Sequence, residues 1–280
     1  MKNKPVFLAV VLAVSLGWTG PASAQSRFGF KLYGGLGYLS GGDINTGCQG
    51  ISDLYGELFG STYHYSLIGG YEPFHLGMNF GGEIFYQVTP KIAIGLGVGY
   101  MNATRESSLT ITNGVESAVV YWKPEVKAMP VTLQFHYFVP VAGGVKLVLS
   151  TGVGVVIANF DLNQTMFSDE METMKTSAVG FGAQGGLGLE IELAKNISLT
   201  LDFLGRYAQV NGLTGTWSSD PDTEGKLWFL DATIAGKGPY SIITLSEGIP
   251  SGEGAVMTNV REAKLGLSGF SAIIGFVFRI

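Results

Sequence analysis

Few residues of this chain can do chemistry, and their spacing says more than their number. There are three histidines, His64, His75 and His136, and one cysteine, Cys48. None of them stands at a spacing that identifies a metal site or a hydrolytic triad. Asp220, Asp222 and Glu224, in DPDTEG, carry the oxygen ligands that calcium takes. That segment lacks the full calcium-loop pattern and reads as a solvated acidic turn. The chain is therefore expected to be non-enzymatic, with no cofactor and no metal. A second set is more informative. Lys31, Glu83, Lys146, Glu190, Glu192, Asp202, Arg206 and Arg279, with His136, stand on one parity of otherwise small or apolar segments. Four acids and four bases turned into one narrow enclosure can compensate one another, with Lys146 against Glu190 and Glu192 as the expected salt bridge. The competing reading of the same groups is a polar conduction route.

What positions such groups is an alternating backbone. From Leu76 to Met101, Leu76, Met78, Phe80, Ile84, Tyr86 and Val88 share one face. After the break at TPK, Ile92, Ile94, Leu96, Val98 and Tyr100 resume it. Period two on both sides of a short break is a β-hairpin, and about ten residues per strand suit a tilted crossing of lipid. The same pattern predicts strands over 28–39, 118–138, 146–157, 179–193, 197–207 and 265–280, eight in all. Pro124 and Pro130 interrupt the strand over 118–138 and mark it for a bulge or a lateral opening, because proline gives no N–H to the ladder. Connections 89–91, 140–144 and 194–196 are short. The segments around 40–71, 102–117, 159–175 and 211–262 are polar and are expected as loops, the first with a two-stranded extension around Tyr63 to Ile68 as its alternative. The alternation places all short turns at one end, predicted to be periplasmic, and the long loops outside. The expected fold is all-β: a transmembrane up-and-down antiparallel β-barrel of eight strands. A soluble sandwich would bury the alternating face and would not leave the other face glycine-rich.

The N-terminus points to the same compartment. Lys2 and Lys4 precede an apolar run from Pro5 to Trp18 and an Ala-Ser-Ala site, so residues 1–24 are expected as a signal peptide and 25–280 as one outer-membrane domain. Net charge is −5, which gives no footing for a nucleic-acid binder. A mean hydropathy of +0.29 is high for an exported soluble protein. Hydrophobicity spread over short alternating strands accounts for it. Cys48, alone, forms no intrachain disulfide.

The TPKIAIGLGVGY, LVLSTGVGV and terminal SGFSAIIGFVFRI segments, with the signal sequence, resemble the small outer-membrane β-barrel superfamily, including OmpA-like membrane domains and the OmpW family. That resemblance implies the outer membrane of a Gram-negative-type bacterium, with membrane lipids and the barrel-assembly machinery as partners. It also implies passive binding or uptake of a small hydrophobic molecule as the function. Adhesion or envelope stabilisation, with the long loops as the contact surface, is the other function expected. An interior of only eight strands has room for side chains or one small ligand, not a wide pore.

Overall fold

The computed structural model describes residues 27–62, 64–165, 171–218, 223–234, 236–251 and 254–280. The expected signal segment, 1–24, lies outside them, as do Asp220 and Asp222 of the acidic turn. Eight strands close a hydrogen-bonded ring: β1 (Phe28–Gly42), β3 (Leu76–Thr89), β4 (Ile92–Thr104), β6 (Ser117–Ala142), β7 (Val145–Thr165), β8 (Met171–Ala194), β9 (Ile197–Val210) and β14 (Leu265–Arg279). Each pairs antiparallel with the next in this order, and β14 pairs back onto β1. Three turns of two residues join β3 to β4, β6 to β7 and β8 to β9. The second is Gly143-Gly144, with φ of 49° and 82°, the left-handed pair a tight hairpin of this hand requires.

The ring does not make the molecule the eight-stranded up-and-down barrel expected from the sequence. Its strands are not arranged round one axis. Strand length explains this. Strands β6, β7 and β8 run for 26, 21 and 24 residues, whereas the other five have 13 to 15. Beyond the ring β6 exchanges β4 for β5 (Ser107–Thr112), and β8 exchanges β9 for β10 (Thr214–Ser218). Strand β5 carries β2 (Ser66–Gly70), while β10 leads to β11 (Thr223–Ile234). Strand β11 pairs with both β12 (Lys237–Ser246) and β13 (Ala255–Glu262). The same sheet thus continues beyond the ring from three of its strands, and one axis cannot serve both parts.

The segments expected as loops are largely built into this extension of the sheet. Strand β6 also runs unbroken through Pro124 and Pro130, each in register with β7, at Leu162 and Val156. The polarity of the two faces inverts along the strands, which hid them. In the ring half of β6, outward residues are Val131, Leu133, Phe135 and Tyr137, and inward ones are Thr132, Gln134 and His136. In the other half the outward residues are Lys123, Glu125 and Lys127, and the inward ones are Trp122, Val126 and Ala128. The changeover is level across neighbours: Lys127 pairs with Asn102 on β4 and Asn159 on β7, and Asn159 pairs with Ser177 on β8. Below that line the outward face is apolar and fits lipid; above it the face is charged and fits water.

Above the line the interior is a packed apolar core containing Trp122, Phe160, Leu162, Leu227, Leu265 and Leu267. Helix α1 (Asp43–Tyr55) closes over it, burying Ile44 and Cys48, with Ile51 and Tyr55 packed against the core. Spacings of four, three and four residues put these side chains on one helical face. The contact with β12 is close enough to demand glycine. A Cβ on Gly50 would stand 1.7 Å from the Ser241 carbonyl oxygen. Asn45 fixes the other side: its Oδ1 accepts from the Tyr71 hydroxyl at 2.9 Å, and its Nδ2 donates to the Phe74 carbonyl at 2.9 Å.

Candidate functional site

Below the polarity line the ring interior holds the charged residues picked out from the sequence. Strand β1 delivers Lys31 inward because its lipid-facing positions are even-numbered (Leu32, Leu36) and its interior positions odd. Lys31 is in register with Glu83 on β3, yet its Nζ donates across the interior to Asp202 Oδ2 on β9 at 2.9 Å. Glu83 instead meets His136, whose Nε2 lies 2.5 Å from Glu83 Oε1. The other ring nitrogen of His136, Nδ1, is 2.8 Å from Ser150 Oγ on β7. Gly95 makes this pair possible, because a Cβ there would stand 2.1 Å from Glu83 Oε1.

A third group gathers at the short-turn end. Glu190 Oε2 accepts from Arg279 Nη2 at 2.7 Å, and Arg279 Nη1 lies 2.7 Å from Oε1. That second contact is electrostatic, since Oε1 receives no aligned hydrogen bond. Lys146, directly opposite Glu190 in the ladder, stands 3.7 Å from the same oxygen. Burial in a low dielectric makes such pairs strong individually but costly to break. Glu192 is outside this assembly, exposed beside the Gly143-Gly144 turn. Arg206 is inside the ring but meets no carboxylate among the described residues. Its Nε donates to the Leu267 carbonyl at 2.9 Å, and its Nη2 is enclosed without an acceptor.

Space is scarce among these groups. The cavity bounded by Lys31, Glu83, His136, Glu190 and Asp202 has a volume of about 20 Å³, enough for one water. Phe85, Ala93, Phe138, Val148 and Val277 pack together and close it from the short-turn end. Ser150, His136 and Glu83 form the chain of contacts of a nucleophile, base and acid, and the space that His136 and Glu83 border holds no more than a water. Sequence reasoning had His136 inward but did not join it to Glu83 or Ser150. Ser150 faces His136 across the β6–β7 hairpin, a register the tight turn carries, whereas Glu83 is reached through the interior between strands, where no local spacing records it. Among the described residues there is no grouping of three or more His, Cys, Asp or Glu able to hold a metal. Of the three acids of the acidic turn only Glu224 is described, in β11.

Pro124 and Pro130 both point inward. Around Pro130 the β4–β6 ladder skips two pairs without a shift of register. Val98 pairs with Val131 and Met101 with Ala128, while Gly99, Tyr100, Met129 and Pro130 form no pairs across that seam. The β7 side is intact, so the gap lies on one edge of β6 only.

Residues 7–226 match the family model described as the outer membrane protein beta-barrel domain. No curated protein sequence matched the chain. Among solved structures, a major outer membrane protein from Thermus thermophilus is 13% identical, with 90% of this chain and 99% of that chain covered and a TM-score of 0.45. The outer membrane protein OprG from Pseudomonas aeruginosa is 12% identical, with 92% and 98% covered and a TM-score of 0.41. The N-terminal domain of OprF from the same organism is 12% identical, with 92% and 100% covered and a TM-score of 0.35.

Proposed function

The chain belongs to the outer membrane protein beta-barrel domain family and resides in the outer membrane of a Gram-negative-type bacterium, and from this we propose that it passively binds small apolar molecules and passes them sideways into lipid at the β4–β6 seam. The observation that carries the reading is the two-pair gap beside Pro130. A regular antiparallel pair hydrogen-bonds its wall shut; proline has no N–H to contribute, so this edge is weakened where it faces lipid. The surroundings support the same reading. Below the gap the interior is blocked by ion pairs and the Phe85–Phe138 cluster, which disfavours passage straight through.

The test is Pro130→Ala. Restored pairing between Ala at 130 and Gly99 narrows the gap, and uptake of a neutral apolar fluorophore into liposomes with matched protein insertion is expected to slow. Amide exchange at position 130, whose new N–H can donate to the Gly99 carbonyl, reports whether pairing has returned. An unchanged uptake rate with that amide protected rejects the seam as the route. A second reading, contact with other cells or matrix, draws on the folded layer above the membrane line. That layer carries an open cleft of about 470 Å³ between α1, His75 and Tyr240. Adhesion that survives Pro130→Ala unchanged would favour it.

A further inference from the structure

Burial along the interior is not uniform. On β9, Ser198, Thr200 and Asp202 are buried, Leu204 and Arg206 are half-buried, and Ala208 and Val210 are buried again. Strand β6 repeats the sequence, with His136 and Gln134 buried, Thr132 and Pro130 half-buried, and Ala128 and Val126 buried. Tyr33 on β1 and Gln184 on β8 are also half-buried and inward. Between the sealed ion pairs and the apolar core there is thus a level of half-buried side chains, and the seam residue Pro130 belongs to it. Tyr33 reaches the same place: a Cβ on Gly99 would stand 3.3 Å from its hydroxyl and 3.1 Å from Pro130 Cγ.

Arg206 is the one charge at this level among the described residues. The other interior cations are matched: Lys31 by Asp202, and Arg279 and Lys146 by Glu190. The remaining carboxylate, Glu83, is held by His136. Asp202, on the same strand, is four residues away, about 13 Å along an extended chain, and is already bonded to Lys31. With Lys31, Lys146, Arg206 and Arg279 against Glu83, Glu190 and Asp202, these interior groups carry one positive charge in excess even with His136 neutral. That charge sits on a guanidinium with an enclosed, acceptor-less Nη2. Leaving such a donor unpaired away from water is unfavourable, and an anionic acceptor answers both the charge and the hydrogen bond.

We propose that Arg206 is an anion-binding point on the lateral route, so that the molecules this protein takes are apolar monocarboxylates rather than neutral apolar molecules alone. This rests on the seam reading above. The carboxylate lies against the Arg206 guanidinium, and the apolar chain lies along Leu204 and Pro130 towards the gap. The planar fork of arginine suits a carboxylate better than any neutral head group.

The test uses the full chain in lipid nanodiscs, titrated with hexanoate and with hexanamide, which share one chain and differ in charge. Hexanoate is expected to saturate shifts of the Arg206 Nε–H signal and of the Tyr33 and Leu204 amide signals, with hexanamide moving them about tenfold to a hundredfold more weakly. Arg206→Gln should remove the preference for hexanoate, and Arg206→Lys should keep part of it. Equal responses to the two probes in the parent protein overturn the proposal without any variant. So does an unchanged hexanoate response in Arg206→Gln that retains the parent's amide spectrum. The seam is tested separately: loss of the Pro130 effect on the neutral fluorophore, with the hexanoate titration intact, removes the route and leaves the anion site.

Discussion

Replacing Glu190 by leucine leaves Arg279 as a cation that the fold has enclosed. The Glu190 side chain is 3% exposed and that of Arg279 13%, so neither is bathed by solvent as a surface pair would be. Arg279 has few alternatives. Nη1 donates to Ser198 Oγ at 3.2 Å, Nε has no acceptor among the described residues, and the nearest ring, Phe85, is 5.9 Å away. Lys146 suffers less, since its side chain is 31% exposed and can turn to water at the short-turn end. Removing one partner of a buried pair costs about 3–5 kcal/mol; with Lys146 able to relax, about 3 kcal/mol is expected for Glu190→Leu. Urea unfolding in detergent micelles, followed by tryptophan fluorescence, measures it. Adding Arg279→Met to the same chain should recover most of the loss, because two apolar side chains then fill the space of the ion pair. A loss below about 0.5 kcal/mol for the single variant would refute the burial argument. A double variant no more stable than the single would show that the loss comes from something other than the stranded cation. Planar-bilayer recordings of the parent protein should show no porin-sized conductance, given the volume left among these groups.

Cys48 should be inert in the folded protein. Burial pushes its thiol up to about 12, leaving almost no thiolate at neutral pH. A maleimide should label it only in denaturant, and labelling of the native protein within minutes would mean that α1 is not docked. Gly50→Ala should undock it, since the added Cβ meets backbone at Ser241 and not a side chain that can turn away. The expected readout is Cys48 labelling under native conditions with the ring amides still protected from exchange. Continued inertness of Cys48 would show that the helix can shift without leaving its seat.

The ring was legible in the sequence because lipid enforces a strict apolar parity. Leu76 to Val88 and Ile92 to Tyr100 were read in the orientation that the structure shows. The layer above was not. Residues 159–165 alternate as strictly as 147–157, but with outward Asn159, Asp161 and Asn163 they look like a polar connection to any search for an apolar outer face. Helix α1 was hidden by Gly47 and Gly50, which weaken helix propensity yet are what let it approach β12. The apolar spacing of Ile44, Cys48, Ile51 and Tyr55 was the available signal. The inward set was read from parity alone, and parity carries no partner. Lys31 passes over its ladder neighbour Glu83 to reach Asp202, while Arg206 reaches no acid among the described residues. Such choices are made through the interior, between strands that no sequence window holds together.

The level at which the two faces exchange polarity also bears on how the chain gets into a membrane. The charged outer wall above Lys127 includes Lys123 and Lys175, and it belongs on the side opposite the short turns. Whichever compartment supplies the chain at the short-turn end, these side chains must cross the bilayer before the apolar core above the line can close. Lysine at the midplane of a bilayer costs roughly 2–4 kcal/mol each. The core that would offset this is unformed until the crossing is over, so the penalty falls on the rate of insertion and not on the stability of the finished protein. Unassisted insertion should therefore be slow in thick bilayers and should quicken as the bilayer is thinned. In the cell this architecture calls for machinery that lowers a barrier, since the final state needs no help to persist.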